Sequence, residues 1–283
     1  MEYAIACSQL VKQYGRFSLE LSDFHVQKGT VHGLVGANGS GKTTTLKLLL
    51  GLLRKDGGDC VVLGSENIGS ENRLREQIGF MIEEASVPSL LNPKQLGRVL
   101  SHCYSGWDAV QFGNLLDAFH LDADKPYHKC SRGMKVKIQL AIALSHQASL
   151  LILDEPTSGL DPLARDEIVT MLSEYSRRSD RTILISSHIT SDLEKLCDYV
   201  TFLEMGKIRF TQEKDTLLDE YRLVQTTHAR LADFDRSAIL GKRENAFNVE
   251  LLMQRKHIPD FAQSQRCTLE DVIILLSKGG DWT

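Results

Sequence analysis

Apolar and polar residues alternate near the start of the chain and then give way to a short, almost entirely apolar run. Phe17, Leu19 and Leu21 are separated by polar residues, which is the period of a half-buried strand. The run VHGLV, at 31–35, is typical of a strand that is buried on both faces. The pattern therefore predicts that residues 3–35 form strands.

The spacing of apolar residues changes to that of a helix at Lys42. This helix is predicted to continue until Gly57 and Gly58, and the short strand CVVLG and another apolar run, IGFMI, follow it. Across residues 88–128 apolar residues again recur at helical spacing, with Pro93 near a helix start. The middle of the chain is therefore predicted to carry a helical insert.

Helices and strands continue to alternate after the insert. A helix is predicted from about Ser131, then the strand LLILD, a helix after Pro162, the strand TILIS and another helix. The segment YVTFLEMGKIRF is predicted to be a strand that turns at Gly206. Strands separated by helices favour a largely parallel sheet, so the predicted fold class is α/β.

The composition of the sequence changes at about Thr211, where charged residues become more frequent. Strands are predicted at RLVQTT and AFNVELLM, and a helix at LEDVIILLSKG. We interpret residues 211–283 as a small accessory α/β domain.

Composition and charge are those of an ordinary globular protein. The chain has 283 residues, of which 42% are hydrophobic and 25% charged, and its formal net charge is -4. No basic block stands out, so no nucleic-acid partner is expected. The apolar runs at 46–53 and 272–276 are shorter than the ~18 residues that span a bilayer. The N-terminus has no pattern of a secretory signal, so we expect the protein to stay in the cytosol.

The cysteines have neither CxxC spacing nor a histidine partner at zinc spacing. We therefore expect no disulfide framework and no metal cluster, and we interpret each cysteine as a buried or half-buried small apolar residue in a reducing compartment. They are Cys7, Cys60, Cys103, Cys130, Cys197 and Cys267.

The segment GANGSGKTT, at 36–44, matches the GxxxxGK[ST] pattern of a phosphate-binding loop and lies between a predicted strand and a predicted helix. Its glycines allow the backbone to wrap phosphates, and the helix N-terminus adds a positive end. Lys42 can supply charge to the outer phosphates, and the Thr43 hydroxyl can bind Mg²⁺. The alternative, a glycine-rich turn with an incidental lysine, is disfavoured by the flanking elements. The predicted nucleotide-binding residues are Gly36, Ala37, Asn38, Gly39, Ser40, Gly41, Lys42, Thr43 and Thr44.

Two adjacent acids end the predicted strand LLILD, at the edge where open α/β sheets have their ligand crevice. Asp154 is predicted to bind Mg²⁺. Glu155 points to the other side of the strand and could polarise the water that attacks the γ-phosphate. The alternative, a pair of surface acids, is disfavoured by the phosphate-binding loop earlier in the sequence.

Four motifs in a fixed order make the resemblance specific: GANGSGKTT, then SRGM at 131–134, then LLILDEPTSGLD, then His188 in SSHIT. This order resembles an ABC transporter ATPase subunit over residues 1–210. The resemblance implies a P-loop NTPase fold with an antiparallel β subdomain and a helical insert at about 84–147. It also implies that the aromatic Tyr14 stacks on adenine, the alternative being a partly exposed tyrosine at a strand end.

The same resemblance implies that Ser131, Arg132, Gly133 and Met134 form the signature loop, which contacts the γ-phosphate held by another protomer. The family usually has SGGQ here. Arg132 could add positive charge near phosphate or simply face solvent, and we favour solvent.

Asp161 in SGLD, with Ser158 beside it, would be a contact between facing protomers. His188 would contact the γ-phosphate as the switch residue. Lys42, Glu155 and His188 are the predicted catalytic residues.

Glu83 in IGFMIEEASVP is the main departure from the family, which usually has glutamine at this point. Glutamate resembles the subgroup that exports peptide antibiotics and confers immunity to them. With Thr43 and Asp154, Glu83 is predicted to bind Mg²⁺, since a carboxylate binds this ion more strongly than an amide. In the alternative, the register is shifted and Glu83 or Glu84 merely faces water.

By resemblance, the protein would be the ATP-hydrolysing subunit of an exporter of peptides, antibiotics or drugs, with ATP and Mg²⁺ as cofactors. It would pair with another copy or with a related subunit, and it would lie at the cytoplasmic face of the cell membrane. The segment from Glu83 to about Tyr104 would bind integral membrane permease subunits.

Two other classes are considered. An ABC-type ATPase that acts on ribosomes or nucleic acid usually has two cassettes or a long coiled-coil insert, and neither feature is present in this sequence. A kinase of a small metabolite would explain the phosphate-binding loop and Asp154, but not SRGM, SGLD or His188.

Overall fold

A computed structural model describes residues 2–66, 68–82, 87–177, 180–245 and 247–278. Within these ranges nine strands form the main sheet: β1 (Tyr3–Tyr14), β2 (Phe17–Gln27), β3 (Val31–Val35), β4 (Gly57–Val62), β5 (Ile78–Met81), β6 (Leu150–Asp154), β7 (Thr182–Ser187), β8 (Tyr199–Glu204) and β9 (Lys207–Glu213). They lie in the order β4-β1-β2-β9-β8-β3-β7-β6-β5.

The main sheet has a parallel part and an antiparallel part. Strands β8, β3, β7, β6 and β5 run parallel, as the alternation of strands and helices predicted. Every residue of β3, β6 and β7 is buried, which is the environment of a parallel strand covered on both faces. Strands β4, β1 and β2 form an antiparallel group that joins the parallel part through β9 and β8. The carboxyl ends of β3, β6 and β7 therefore share one edge.

Helices connect or cover these strands. The helices of the described ranges are α1 (Lys42–Leu49), α2 (Asn72–Arg75), α3 (Pro93–Cys103), α4 (Ala109–Ala118), α5 (Arg132–Leu144), α6 (Pro162–Ser176), α7 (Thr190–Leu196), α8 (Lys214–Glu220) and α9 (Leu269–Lys278). Nowhere in the described part of the chain does a helix combine the length and the apolar character needed to cross a membrane.

Helix α1 begins at Lys42 as predicted but ends well before Gly57. Leu50 donates its N–H to the carbonyl of Leu46, and Gly51 then takes a left-handed conformation with φ +66°. Glycine adopts this conformation without a steric penalty and commonly ends a helix. The apolar run continues past the end of the helix, so its length alone gave the wrong end point.

Helices α3, α4 and α5 pack together around Leu96, Phe112, Leu116 and Ile138. Helix α3 starts at Pro93, as predicted. The side chain of Asn92 accepts from the N–H of Gln95, whose side chain accepts from the N–H of Asn92. Such a reciprocal cap satisfies two N–H groups that the helix leaves free. The insert predicted at about 84–147 begins outside the described residues.

A second sheet follows, formed by β10 (Tyr221–Thr226), β11 (Ile239–Glu244), β12 (Val249–Gln254) and β13 (Ser264–Arg266) in the antiparallel order β11-β12-β10-β13. Strands β10 and β12 and helix α9 are the three predicted elements of this region. Leu252 and Leu275 are buried in the same cluster as Leu193 and Leu196 of α7. The apolar core is therefore continuous from the main sheet into this region, and the division at residue 211 stays a prediction.

The cysteine prediction is wrong at one position. Five cysteines are buried, but Cys103 is exposed. Cys103 is the last residue of α3, whose apolar side is covered and whose opposite side faces solvent.

Candidate functional site

The segment at 36–44 consists of the loop between β3 and α1 and the first residues of α1, and the loop packs tightly against its surroundings. A Cβ on Gly36 would lie 2.2 Å from the carbonyl oxygen of Leu203, so no larger residue fits. Gly41 precedes α1 with φ +110°. The loop is supported by the turn between β8 and β9, where the N–H of Gly206 donates to the carbonyl of Ser40 at 3.0 Å.

Lys42 is the first residue of α1, directly after this loop, and has 6% of its surface exposed. Its Nζ donates to the carbonyl of Gly36 at 2.8 Å and lies 3.2 Å from Oε1 of Glu155. A buried ammonium held by a backbone carbonyl and a carboxylate keeps its charge paired. The lysine and the glutamate predicted from separate motifs are therefore adjacent.

Thr43 and Asp154 are also brought together. The Thr43 hydroxyl donates to Oδ2 of Asp154 at 2.7 Å, and the hydroxyl of Ser186 donates to Oδ1. A hydroxyl and a carboxylate supply the oxygen ligands that Mg²⁺ prefers, so these two residues fit the predicted ion. Ser186, on the neighbouring strand β7, was not predicted.

Glu155 and His188 form a second contact beside Lys42. His188 donates to Oε2 of Glu155 from its Nδ1 at 2.7 Å and from its backbone N–H at 3.2 Å. Glu155 has φ +49°, a left-handed conformation that costs a non-glycine residue about 1–3 kcal/mol. The surrounding contacts hold this conformation, which directs the carboxylate towards Lys42 and His188.

These residues line a cleft of 1440 Å³. The loop and the two acids form one side, and Arg132 and Gln139 of α5 lie on another. Tyr14 lines the cleft with 46% of its surface exposed. Phe17, which was not predicted as a site residue, lines it too. An aromatic residue three positions after Tyr14, across a tight turn, was the signal available in the sequence.

The predicted signature residues begin α5. The Ser131 hydroxyl accepts from the N–H of Met134 at 3.3 Å and so caps this helix. Arg132 is exposed and also borders the cleft, so the choice between solvent and phosphate stays a prediction. A Cβ on Gly159 would lie 3.0 Å from the guanidinium carbon of Arg132, so this side chain covers the SGLD segment. Gly133 lies close to Leu160 of the same segment.

Asp161 caps α6 by accepting from the N–H groups of Leu163 and Ala164, both at 3.1 Å. The bond from Ala164 is the main cause that holds the pKa of this carboxyl below its usual range. Neither Ser131 nor Asp161 is among the described residues that line the cleft. Glu83, the remaining predicted site residue, lies outside the described residues.

Comparisons with known proteins identify the family of this chain. Residues 19–158 match the family described as ABC transporter. Over 211 residues the chain is 34% identical to the bacitracin transport ATP-binding protein BcrA of Enterococcus faecalis, covering 74% of this chain and 68% of BcrA. The chain belongs to the ABC transporter ATP-binding family. The predicted activity is thereby confirmed: this ABC protein is an ATPase.

Two further similarities extend the comparison. The ABC ATPase is 36% identical over 208 residues to the lantibiotic transport ATP-binding protein SrtF of Streptococcus pyogenes, covering 73% of this chain and 89% of SrtF. A solved ATP-binding subunit of an ABC transporter has a TM-score of 0.68 and 27% identity, covering 76% of this chain and 91% of that chain. The predicted fold class is confirmed, and a transport ATPase is supported over the alternative that acts on ribosomes or nucleic acid.

Proposed function

We propose that this ABC ATPase powers the export of peptide antibiotics or related drugs through separate integral membrane permease subunits, at the cytoplasmic face of the cell membrane. The cargo class is supported by the similarity to transport proteins for bacitracin and lantibiotics. The ATP-driven step is supported above all by the position of Glu155, which is held between Lys42 and His188. The pair of Thr43 and Asp154 lies next to it.

In the proposed nucleotide complex, the amides of residues 36–44 and the start of α1 bind the phosphates of ATP. The Lys42 ammonium leaves the Glu155 carboxylate and binds the outer phosphates of ATP instead. The exchange keeps its charge paired, because the carboxylate and the phosphates are both anionic. Tyr14 and Phe17, at the turn between β1 and β2, offer aromatic faces on which adenine can stack.

Thr43 and Asp154 would hold Mg²⁺, and the resemblance adds Glu83 as a third ligand. When bound, this ion would neutralise the charge of the phosphates. In the structure the Asp154 carboxylate is fixed by two hydroxyls, those of Thr43 and Ser186, so its oxygens are oriented before any ligand arrives.

Glu155 is proposed as the general base. Once Lys42 turns to phosphate, the Oε1 atom loses its cationic neighbour and is free to accept a proton from the attacking water. His188 holds Oε2, while Oε1 is buried and faces Lys42. The ring of His188 lines the cleft, where it can contact the γ-phosphate.

The signature residues would act on a second protomer, either another copy or a related chain. Ser131 and Asp161 both stand at exposed helix starts and outside the lining of the cleft. The start of α5 carries the positive end of a helix, which favours a phosphate. Ser131, Arg132, Gly133 and Met134 would thus complete the site of the facing protomer.

A permease is proposed to bind the segment from Glu83 to about Tyr104. The described part of this segment borders an apolar groove of 580 Å³ beside β5, lined among others by Phe80, Leu96, Leu100 and Tyr104. Because Phe80 and Leu100 leave apolar surface uncovered there, a helix from a membrane subunit would bury it.

The proposed base is tested with Glu155→Gln. Glutamine keeps the size of the side chain but cannot take up the proton, so we expect ATP binding to persist while turnover falls about 10²–10⁴-fold. Lys42→Ala should lose ATP binding, whereas Glu174→Gln, an exposed change on α6, should leave both properties intact. Equal steady-state turnover of Glu155→Gln and the unchanged protein would remove Glu155 from this role.

The same variant tests the second protomer. Because slow turnover preserves ATP, Glu155→Gln with ATP and Mg²⁺ should have the mass of a dimer in light scattering, and the mass of a monomer without nucleotide. A monomer that retains ATP would contradict the role given to Ser131 and Asp161.

The transport proposal is tested by purifying the tagged chain from membranes solubilised in mild detergent. We expect a membrane protein with several spans to co-purify in stoichiometric amount. Leu100→Glu should release it without loss of ATP hydrolysis, because the charge falls in the groove and away from the cleft. Recovery with ribosomes or nucleic acid alone would contradict the proposal.

A further inference from the structure

Two cysteines that belong to none of the nucleotide motifs face each other across neighbouring strands. Cys7 of β1 is directly opposite Cys60 of β4 in the antiparallel register. Both side chains are buried among apolar residues of the same cluster, and their Sγ atoms are 3.5 Å apart. The two thiols are therefore already in contact in the folded protein.

The backbone at this position suits a covalent bond between the thiols. The N–H of Leu63 donates to the carbonyl of Ala4, and hydrogen-bonded and non-hydrogen-bonded pairs alternate from there along the ladder. The alternation makes Cys7 and Cys60 a non-hydrogen-bonded pair, for which the Cα atoms are about 4.5 Å apart. This distance lies within the roughly 4.4–6.8 Å range of disulfides.

The two thiols are not equivalent. Cys60 lines a small pocket of 260 Å³ that Arg54 and Lys55 also line, and its exposed fraction is 9% against 1% for Cys7. The thiol of Cys7 donates to the sulfur of Cys60, which lowers the pKa of Cys60, and Lys55 lowers it further against the effect of burial. The same contact raises the pKa of Cys7. Cys60 is thus the more exposed and the more acidic of the two buried thiols.

We propose that Cys60 and Cys7 form a reversible dithiol pair that is oxidised by a hydroperoxide. The Cys60 thiolate attacks the peroxide, the O–O bond breaks, and the leaving oxygen departs as an alcohol, or as water from hydrogen peroxide, after taking a proton. Cys60 becomes a sulfenic acid. The sulfur of Cys7 then attacks it, the S–O bond breaks, water leaves with the thiol proton, and an S–S bond forms.

The two reaction steps balance in electrons without another reactant. Two thiols lose two electrons in all, and the peroxide O–O bond gains them. A small thiol reductant reverses the change by exchange at the disulfide. The bond would connect β1 to β4, at the edge of the main sheet, beside Leu48 and Leu49 of α1, which line the same pocket.

The test is a titration of the folded full-length chain with hydrogen peroxide, followed by alkylation of the remaining thiols and peptide mass mapping. We expect a linked pair of peptides that contains Cys7 and Cys60 and has two hydrogens fewer than the two reduced peptides together. At the same peroxide doses the buried Cys130 and Cys197 should remain thiols and be recovered in alkylated form. The exposed Cys103 reports that the oxidant is active. Dithiothreitol should return both thiols.

Single variants separate the two roles. With Cys7→Ser, dimedone should trap a sulfenic acid on Cys60, because the partner thiol is missing. With Cys60→Ser, Cys7 should remain a thiol. The peptide map of the unchanged protein decides the matter even if a variant fails to fold. Recovery of Cys7 and Cys60 as free thiols after complete oxidation of Cys103, or linkage only in urea, would overturn the proposal.

Discussion

At the scale of single residues, Ser186 supports both acids of the site. Its hydroxyl donates to Oδ1 of Asp154 and accepts from the N–H of Glu155, the latter at 3.1 Å. The carbonyl of Ser186 accepts from the same N–H group. One buried side chain thus orients the carboxylate proposed for Mg²⁺ and fixes the backbone of the proposed base.

We predict that Ser186→Ala lowers kcat/KM for ATP about 10–100-fold, as does the loss of other groups that orient a metal-binding carboxylate. The free energy of unfolding should fall by about 1–3 kcal/mol, because buried Asp154 loses a hydrogen bond. Steady-state ATPase assays over a range of Mg²⁺ concentrations measure the first effect. Ser187→Ala is the matched control, since that hydroxyl bonds to Ile189 rather than to an acid. Equal losses in both variants would contradict the assignment.

The sequence predicted the site residues whose types are prescribed by a motif, and the structure brings Lys42, Asp154, Glu155 and His188 together. Their roles remain proposals. Ser186 could not be predicted, because its partner Asp154 is 32 residues away and a serine near the end of a strand has no special pattern. The pairing of β6 with β7 places it beside Asp154.

At the scale of elements, two glycines test how the helices of the middle region pack. Gly113 lies within α4, and a Cβ there would meet no atom within 4 Å. Gly97 lies within α3, and a Cβ there would be 3.1 Å from the ring of Phe112. Glycine destabilises the helix at both positions, but only Gly113 has room for an added methyl group.

We predict that Gly113→Ala raises the free energy of unfolding by about 0.5–1 kcal/mol, the gain that alanine brings to a helix interior. Gly97→Ala should show no such gain, since the new methyl group presses on Phe112 and overpacking offsets helix propensity. Urea unfolding of the two variants provides the comparison. Equal stabilisation would mean that α3 and α4 are not in close contact.

Elements with strong periodicity were predicted, whereas weakly apolar ones were not. Strand β11, with the sequence ILGKRE, and strand β13, with only SQR, carry too little apolar pattern to be recognised without their partners. Their pairing with β12 and β10 forms them instead. The end of α1 was missed because a left-handed Gly51 stops the helix while apolar residues continue.

At the scale of the whole molecule, His32 links stability to pH. It lies on β3 in the interior of the main sheet, bonded through Nε2 to the Thr201 hydroxyl at 2.7 Å and packed by Phe24 and Tyr199. Burial lowers the pKa of His32 to about 4. In the unfolded chain this histidine titrates near its ordinary value of about 6.5.

Between these two pKa values the unfolded chain binds a proton that the folded chain does not. We therefore predict that the free energy of unfolding falls as the pH is lowered from about 6.5 to 4, by about 3 kcal/mol in total from this group. Urea unfolding at several pH values should give a smaller pH dependence for His32→Gln. Phe24→Leu should be less stable at every pH but keep the pH dependence. An unchanged slope in His32→Gln would contradict the prediction.

The turn between β8 and β9 has a consequence for protein engineering. Met205 is 82% exposed, so this hairpin resembles a permissive site for new termini or an inserted reporter domain. Its neighbour Gly206 contacts Ser40 on one side and accepts from the N–H of Glu20 on the other, and a Cβ there would lie 2.0 Å from the carbonyl of Ser18. A circular permutant opened at this hairpin would lose the support of its phosphate-binding loop, although the cut lies on the surface.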